Sequence, residues 1–371
     1  MEKVPLVAII GAGIAGLATA RALALRGVEA TIFEQAPQLA EIGAALAINP
    51  NGLVALERLG LAEAARSAGA GLNRVVIASR RGRTLSDIRF GTTLGIHRAA
   101  LQHVLLDSGS VVTLGTRIEE FAQDEAGVTV GGSCFDLVVG ADGIRSRVRE
   151  SLFGPEPLRD AGYYAWRAIA PRPADGLPIK DAFVVFVGAG SQVGYMPIDA
   201  DRVYWFASLN ARPGEPRPAD AHEEALRRFG AWPEPLPQLI TATPRDAVLV
   251  TDLHDRRPRR CWHDGRVVLV GDAAHPMTPN LGQGACQALE DAVVLAAALE
   301  AEPTVERALA RFSDLRVRRP NSMVRASRQM GRILQLESPA ACAVRDAIFR
   351  ATPASIQRWQ NARLARVTLP A

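Results

Sequence analysis

The chain has 371 residues, 48% hydrophobic and 22% charged, with a formal net charge of +4. That size provides for one or two cores and excludes both a mini-domain and a set of three full domains. The mixed composition excludes a disordered chain, and no segment approaches the roughly 20 charge-free apolar residues that a membrane helix requires. The opening MEKVPLVAII has no small-residue cleavage site, so a cytoplasmic location is expected. Cys134, Cys261, Cys286 and Cys342 lie far apart, without C-x-x-C spacing or histidines at metal-ligand intervals. They are expected to be reduced, buried thiols, and no metal site is expected.

VPLVAIIGAGIAGLATARALALRG reads as an apolar strand, a glycine turn and a helix with small residues where it presses on a sheet. EATIFEQ reads as the second strand of a strand–helix–strand unit. The turn Gly11-Ala12-Gly13-Ile14-Ala15-Gly16 fits G-x-G-x-x-G. In that motif Gly11 permits the tight turn, Gly13 lets a pyrophosphate approach the backbone, and Gly16 lets helix and strand pack closely. The helix start supplies free N–H groups and a dipole that favour phosphate. Glu34 ends the second strand, where an acid accepts hydrogen bonds from a ribose diol. These residues point to a nucleotide with adenosine and a pyrophosphate, and leave FAD and NAD both open.

Residues 52–68 and 98–107 are predicted helical, and FDLVVGADG (135–143) a strand entering a tight turn. Residues 159–210 alternate, as in AFVVFV (182–187), QVGYMPI (192–198) and RVYWFASL (202–209), predicting a separate, mostly antiparallel sheet. In RVYWFASL, period 2 puts Val203, Trp205 and Ala207 on one face and Arg202, Tyr204, Phe206 and Ser208 on the other. RVVLV (266–270) returns to the first sheet and runs into GDAAHPMTPNLGQGACQALEDA (271–292), a polar, glycine-rich corner before a helix that reaches about residue 301. Residues 303–366 are helical, with Pro320, Pro339 and Pro353 as boundaries. Residues 303–334 hold eight arginines against Glu306 and Asp314. Without aromatic interleaving or a nucleic-acid module, that run reads as a solvated or subunit-facing helix surface.

The glycine turn, VVGADGIRSRVR (138–149) and the Gly271-Asp272 corner together resemble, in order, the three fingerprints of the single-component FAD-dependent aromatic hydroxylases, flavoprotein monooxygenases of the para-hydroxybenzoate hydroxylase fold. The layout GAALAINPNGLVALERLG followed by HRAALQ is most similar to the urate, salicylate and hydroxybenzoate hydroxylases. The resemblance implies an α/β fold: a Rossmann-like FAD-binding domain (1–72, 97–157 and 265–302) interleaved with a mostly antiparallel β-sheet substrate domain (73–96 and 158–264), then C-terminal helices (303–371). It implies FAD, with NADH or NADPH as a transient co-substrate that needs no second Rossmann unit. The reduced flavin then forms a C4a-hydroperoxide with O2, and the distal oxygen passes to a small electron-rich aromatic or heteroaromatic ring. A monomer or homodimer is expected, with no nucleic-acid partner.

The implied FAD contacts are Gly11, Gly13, Ala15, Gly16, Glu34, Gln35, Ala45, Arg98, Gln102, Asp142, Asp272, Gly282, Gln283, Gly284 and Ala285. Asp272 would meet the ribityl chain, and the backbone of Gly282 to Gly284 would face the negative end of the reduced ring. Pro276 and Pro279 would wall the side where oxygen reacts. The implied catalytic set is Pro279, Gly282, Arg202 and Tyr195, and the substrate set Arg167, Tyr195, Met196, Arg202 and Trp205. An arginine inside an apolar sheet domain needs an anionic partner, so Arg167 or Arg202 could bind a substrate carboxylate or enolate, or pair with a protein acid. Arg202 stands where the urate enzyme has a substrate arginine, whereas Arg167 replaces an asparagine, a departure from urate. His275 is expected to satisfy a local group rather than shuttle protons. The alternatives are an FAD-dependent reductase or dehydrogenase and a flavin-containing sequestering protein; the P-x-x-G-Q-G form of residues 279–284 favours the monooxygenase.

Overall fold

The computed structural model describes residues 4–39, 45–106, 109 and 111–370. In chain order it begins β1 (Val7–Ile10), α1 (Ile14–Ala24), β2 (Ala30–Phe33), β3 (Ala45–Ile48), α2 (Pro50–Arg58), α3 (Ala62–Ser67), β4 (Gly69–Ser79), β5 (Thr84–His97) and α4 (Arg98–Leu106). Next come β6 (Val112–Thr113), β7 (Phe121–Gln123), β8 (Val128–Val130), β9 (Ser133–Phe135), β10 (Leu137–Gly140) and α5 (Arg147–Phe153). The middle holds β11 (Arg159–Pro171), β12 (Ala182–Val187), β13 (Ser191–Pro197), β14 (Arg202–Asn210), α6 (Ala221–Phe229), α7 (Leu236–Ala242), β15 (Leu249–Asp255), β16 (His263–Asp264) and β17 (Val267–Leu269). The chain closes with α8 (Gly284–Ala301), α9 (Val305–Arg316), α10 (Arg318–Leu334), α11 (Pro339–Ala351) and α12 (Ala354–Ala365).

The apolar run 7–10 is buried throughout and takes parallel partners on both sides, β10 and β2. Strands buried on both faces read as continuous apolar runs, which is why VAII, LVVG and VVL carry no alternation. The sheet order is β16-β17-β10-β1-β2-β6, parallel except at β16. The three fingerprints therefore leave from the carboxyl ends of three adjacent strands, β1, β10 and β17, where ligands of open α/β sheets bind.

The second sheet runs β15-β11-β14-β13-β12-β4-β5-β3 and is antiparallel except where β12 meets β4. It begins earlier than the sequence suggested: Ala45–Ile48 pairs with Leu94–His97, and Gly69–Leu72 with Thr93–Ile96, so these segments leave the first sheet well before residue 73. Backbone pairing with β5 decides the matter, and short apolar segments carry no mark of which sheet they join. Helices α6 and α7 back one face of this sheet through Phe229, Leu236, Leu239 and Ile240.

The thiols differ from expectation. Cys286 is buried, but Cys134 and Cys261 are exposed and Cys342 partly so; all four are free. Cys134 lies in the short strand β9 and Cys261 in the loop just before β16, where a small residue tolerates either environment. Among the described residues no helix is long and apolar enough to cross a membrane.

Candidate active site

The glycine turn uses its three glycines for three different reasons. Gly11 has φ +107, and a Cβ on it would stand 2.6 Å from the Ala141 carbonyl oxygen. A Cβ on Gly16 would stand 1.9 Å from the Gly11 carbonyl oxygen, so helix and turn meet backbone to backbone. At Gly13 an added Cβ would meet no protein atom within 4 Å. The protein's own packing does not demand glycine there. On the open side the first N–H groups of α1 lack intrahelical partners, a position suited to phosphate.

Glu34 is tied to this turn, with Oε2 accepting from the Ala12 N–H at 2.8 Å and Oε1 from the Ala36 N–H at 2.9 Å. A carboxylate has roughly four acceptor positions, so a diol still finds room. Gln102 Nε2 donates to the Ala12 carbonyl at 2.8 Å, bracing the turn from α4. Ala15 packs under Gly271, where a Cβ would come within 2.7 Å, joining the first fingerprint to the third. Gln35 is exposed and Ala45 half-buried at the start of β3.

Asp142 Oδ2 accepts from the Arg147 and Val148 N–H groups at 2.7 and 3.1 Å, while its Oδ1 is buried without a protein partner. Burial pushes this carboxyl above its usual range, and the Ser146 hydroxyl and the backbone donors oppose the shift. Asp272 makes no hydrogen bond with another described residue. Its Oδ1 is 3.9 Å from the place a Cβ on Gly284 would take, which sets the carboxylate at the start of α8. The protein crowded around it raises its pKa, against the charges of His275 and Arg98. The side chain is nevertheless open to solvent, which screens and weakens the effect. Arg98 is exposed at the start of α4 and has no hydrogen-bonded partner among the described residues.

The loop into α8 is built for close approach. Pro279 opens a short turn, Pro279–Leu281, that Gly282 ends at φ +59. Helix geometry leaves the N–H groups of Gly284 and Ala285 without intrahelical acceptors. The Gln283 side chain is buried among Asn51 (3.0 Å) and Gln287 (3.0 Å), which leaves its backbone as the part that faces the open side of the loop. His275 is buried, with its Nε2 2.6 Å from Asp291 Oδ2.

Several residues here were not singled out from the sequence. Asn49 Nδ2 donates to the Gly282 carbonyl at 3.0 Å. Arg149 is buried and donates to the carbonyls of Ala273 and Ala274 at 3.0 and 2.9 Å, strapping the second fingerprint to the third. Glu290 and Asp291, adjacent acids inside an otherwise apolar helix, were a visible signal of a buried polar role.

The faces of the second sheet correct two expectations. Tyr195 and Trp205 are cross-strand partners on the face backed by α6 and α7, with Trp205 Nε1 donating to Thr243 Oγ1 at 2.8 Å. Both belong to that core and turn away from the fingerprint loops. The opposite face carries Met196, Tyr204, Phe206, Ile169 and Arg167, with Leu72, Ala45 and Ala47 packed against it. Tyr163 shares this face with Arg167 by strand alternation, and its hydroxyl accepts from Asn280 Nδ2 at 2.6 Å, fixing the face against the loop after Pro279. The Tyr204 and Phe206 rings lie 6.2 Å apart at 21°.

The two candidate arginines differ. Arg202 is exposed at the β13–β14 turn, with Nε 2.7 Å from Asp199. Arg167 is half-buried and has neither an ion pair nor a hydrogen bond with a described residue. Within the basic run, Arg316 and Arg319 reach Glu290 and Asp291 and Arg328 reaches Asp255, so part of the charge points inward rather than to solvent.

These features fit FAD: a cradle with room at Gly13, an orphaned carboxylate oxygen on Asp142, and a free carboxylate beside an open helix start. The family described as FAD binding domain matches residues 5–327. The chain is 40% identical over 359 residues to the aurachin C monooxygenase/isomerase of Stigmatella aurantiaca, covering 93% of each chain. It is 33% identical to the 3-amino-4-hydroxybenzoate 2-monooxygenase of Streptomyces cremeus, over 93% of this chain and 92% of that one. The structure of Klebsiella pneumoniae HpxO complexed with FAD and uric acid is similar at a TM-score of 0.89 and 29% identity, covering 97% of this chain and 96% of that one.

Proposed function

For a chain that belongs to the FAD binding domain family and is an FAD-dependent monooxygenase, we propose the following substrate and division of labour. The substrate is a small planar aromatic or heteroaromatic ring carrying an anionic oxygen. It lies between the Met196, Tyr204 and Phe206 face and the loop after Pro279, with Arg167 on its charge. The observation that carries this reading is Arg167 itself. A half-buried guanidinium on an apolar face with no anionic partner among the described residues has a place for a carboxylate or enolate. Arg202 has Asp199 for that purpose. The named substrate of the Streptomyces relative is likewise a carboxylate.

FAD, reduced by NADH or NADPH, supplies the oxygen-transfer chemistry with O2. The chain's residues bind, orient and exclude water. Gly11, Gly13, Ala15, Gly16, Glu34, Gln35, Ala45, Arg98 and Gln102 hold the adenosine and phosphate end, and Asp142 and Asp272 the middle. The backbone of Gly282 to Ala285 serves the ring, with Pro279 as a wall. Asp272 accepts from hydroxyl donors, and the N–H groups at the start of α8 stabilise negative charge on the ring. The apolar sheet face keeps water from the reacting atoms.

The test is a panel of phenols, benzoates, purines and hydroxypyridines, each paired with its neutral O-methyl ether or methyl ester. Stimulated oxidation of NADH or NADPH, with oxygen incorporated into product, is measured for each pair. Stimulation confined to the ionisable members supports the reading. Equal stimulation by the neutral partners removes Arg167 from substrate recognition.

A further inference from the structure

Beneath the cradle lies a cluster of charged side chains to which the reaction assigns no task. Asp291 and Glu290 are fully buried in α8, and Arg316 of α9 is nearly so, at 3% side-chain exposure. Arg316 Nε donates to Asp291 Oδ1 at 2.8 Å, NH1 to Glu290 Oε2 at 2.5 Å, and NH2 to the Gln287 side chain at 3.0 Å. Arg319 adds two contacts to Glu290, at 2.9 and 3.1 Å. Asn51 Nδ2 donates to Glu290 Oε1 at 2.7 Å. Two carboxylates and two guanidiniums thus balance in the interior.

The cluster touches the third fingerprint at two points. Asp291 Oδ2 accepts both the Gly271 N–H, at 2.9 Å, and His275 Nε2, at 2.6 Å. Asp272 lies between those two anchored residues. The Gly271 carbonyl in turn accepts from the Ala274 and His275 N–H groups at 3.0 and 2.9 Å, so the turn is held from outside and from within. One oxygen of Asp291 therefore fixes the backbone that presents Asp272 to the ligand.

We propose that Asp291, with Arg316 as its counter-charge, is a positioning residue for FAD: it fixes the Gly271–His275 turn, and Arg316 keeps the buried acids from placing net negative charge under the cofactor. Burial alone would raise the Asp291 carboxyl, but the charges of His275 and Arg316 hold it below its ordinary range. Buried charges are weakly screened, so an uncompensated acid here reaches the cradle. Removal of one member of a buried pair leaves its partner uncompensated, which costs far more than loss of an exposed pair. The proposal rests on the reading of Asp272 as a cradle residue. It extends the cofactor's support to α9, outside the three fingerprints.

The experiment measures the FAD dissociation constant, the thermal midpoint and the reduction potential of the FAD-saturated holoprotein for Arg316→Met, Arg316→Lys and Asp291→Asn. Arg316→Met is expected to weaken FAD binding roughly tenfold or more and to move the potential negative, because a reduced, anionic ring then faces unbalanced acids. Arg316→Lys restores the potential. Asp291→Asn keeps an acceptor for the Gly271 N–H but removes a negative charge, and moves the potential positive. Opposite shifts mark an electrostatic positioning role, whereas purely structural damage lowers the midpoints without separating the potentials. Unshifted potentials in FAD-saturated Arg316→Met and Asp291→Asn, shifts of the same sign in those two variants, or an Arg316→Lys potential as negative as that of Arg316→Met, overturn the proposal. Where Arg316→Met yields no holoprotein, the isosteric Asp291→Asn decides alone. Parent protein that binds FAD unaffected by Asp272→Ala would instead defeat the underlying reading of the cradle.

Discussion

Asp142 and Asp272 stand in contrast to Glu290 and Asp291. All four carboxylates lie around the same loops, yet the last two have every oxygen engaged, by Arg316, Arg319, His275, Asn51 and the Gly271 N–H. Asp142 leaves one oxygen unpaired, and Asp272 makes no hydrogen bond or ion pair with another described residue. Among the arginines, Arg316 and Arg149 have protein acceptors at all three guanidinium nitrogens, while Arg167 has no hydrogen bond or ion pair with a described residue. Charges that build the fold are those the fold completes, and in the proposed function the charges left incomplete are the ones assigned to a ligand.

The largest expected effect tests the incomplete side. Gly13→Val should abolish FAD binding, seen as loss of flavin absorbance, while the apoprotein keeps its far-UV spectrum and thermal midpoint. A Cβ on Gly13 meets no protein atom within 4 Å, and in the proposed reading the added side chain takes the space of the pyrophosphate. Retained yellow colour at full occupancy would falsify the assignment. Arg167→Met comes next. Loss of a charge-assisted hydrogen bond of about 1.5–3 kcal/mol should raise KM for an anionic substrate about ten- to a hundredfold, with FAD content unchanged. An unchanged KM would move the substrate's charge elsewhere.

The contrast also has a pH signature. Asp291 has a folded-state pKa below its ordinary value, so its contribution to stability is present above about pH 3.9 and fades as pH falls through the depressed value. Asp142 has a raised pKa, so its contribution is complete below about pH 3.9 and is lost as pH rises through the raised value. In the apoprotein, the difference in thermal midpoint between Asp291→Asn and the parent should therefore grow as pH rises from about 3 to 6. The difference for Asp142→Asn should move the other way, towards relative stabilisation of the variant. Parallel trends would show that the two acids are not distinguished by their surroundings.

Much of this was legible in the sequence because it rests on local rules. The glycine turn, the strands VAII, LVVG and VVL, and the start of α8 after Pro279-Asn280-Leu281-Gly282 follow from spacing and backbone freedom. Period 2 also sorted β14 into its two faces correctly, but periodicity cannot say which face looks to the cofactor. That choice depends on α6 and α7 covering Trp205 and Tyr195, a contact between segments distant in sequence. The same holds for β3, whose membership in the second sheet is decided by β5, and for Arg316, whose place in a charged run gave no hint that it turns inward to Asp291.

The smallest effect falls on Arg202, and it sharpens the contrast because this arginine is complete without a ligand. Its guanidinium is 45% exposed and paired with Asp199, whose carboxylate also accepts the backbone N–H groups of Asp201 and Arg202. The turn is thus fixed mainly by backbone donors, and the ion pair adds little in solvent. Arg202→Ala should lower stability by less than about 1 kcal/mol, with FAD content unaltered and a change in KM smaller than that of Arg167→Met. Chemical denaturation and steady-state kinetics on the two variants side by side measure both quantities. A larger KM effect at Arg202 than at Arg167 would mean that Asp199 releases its arginine when substrate arrives, and that completeness in the ligand-free protein is no guide to duty at the rim of this site.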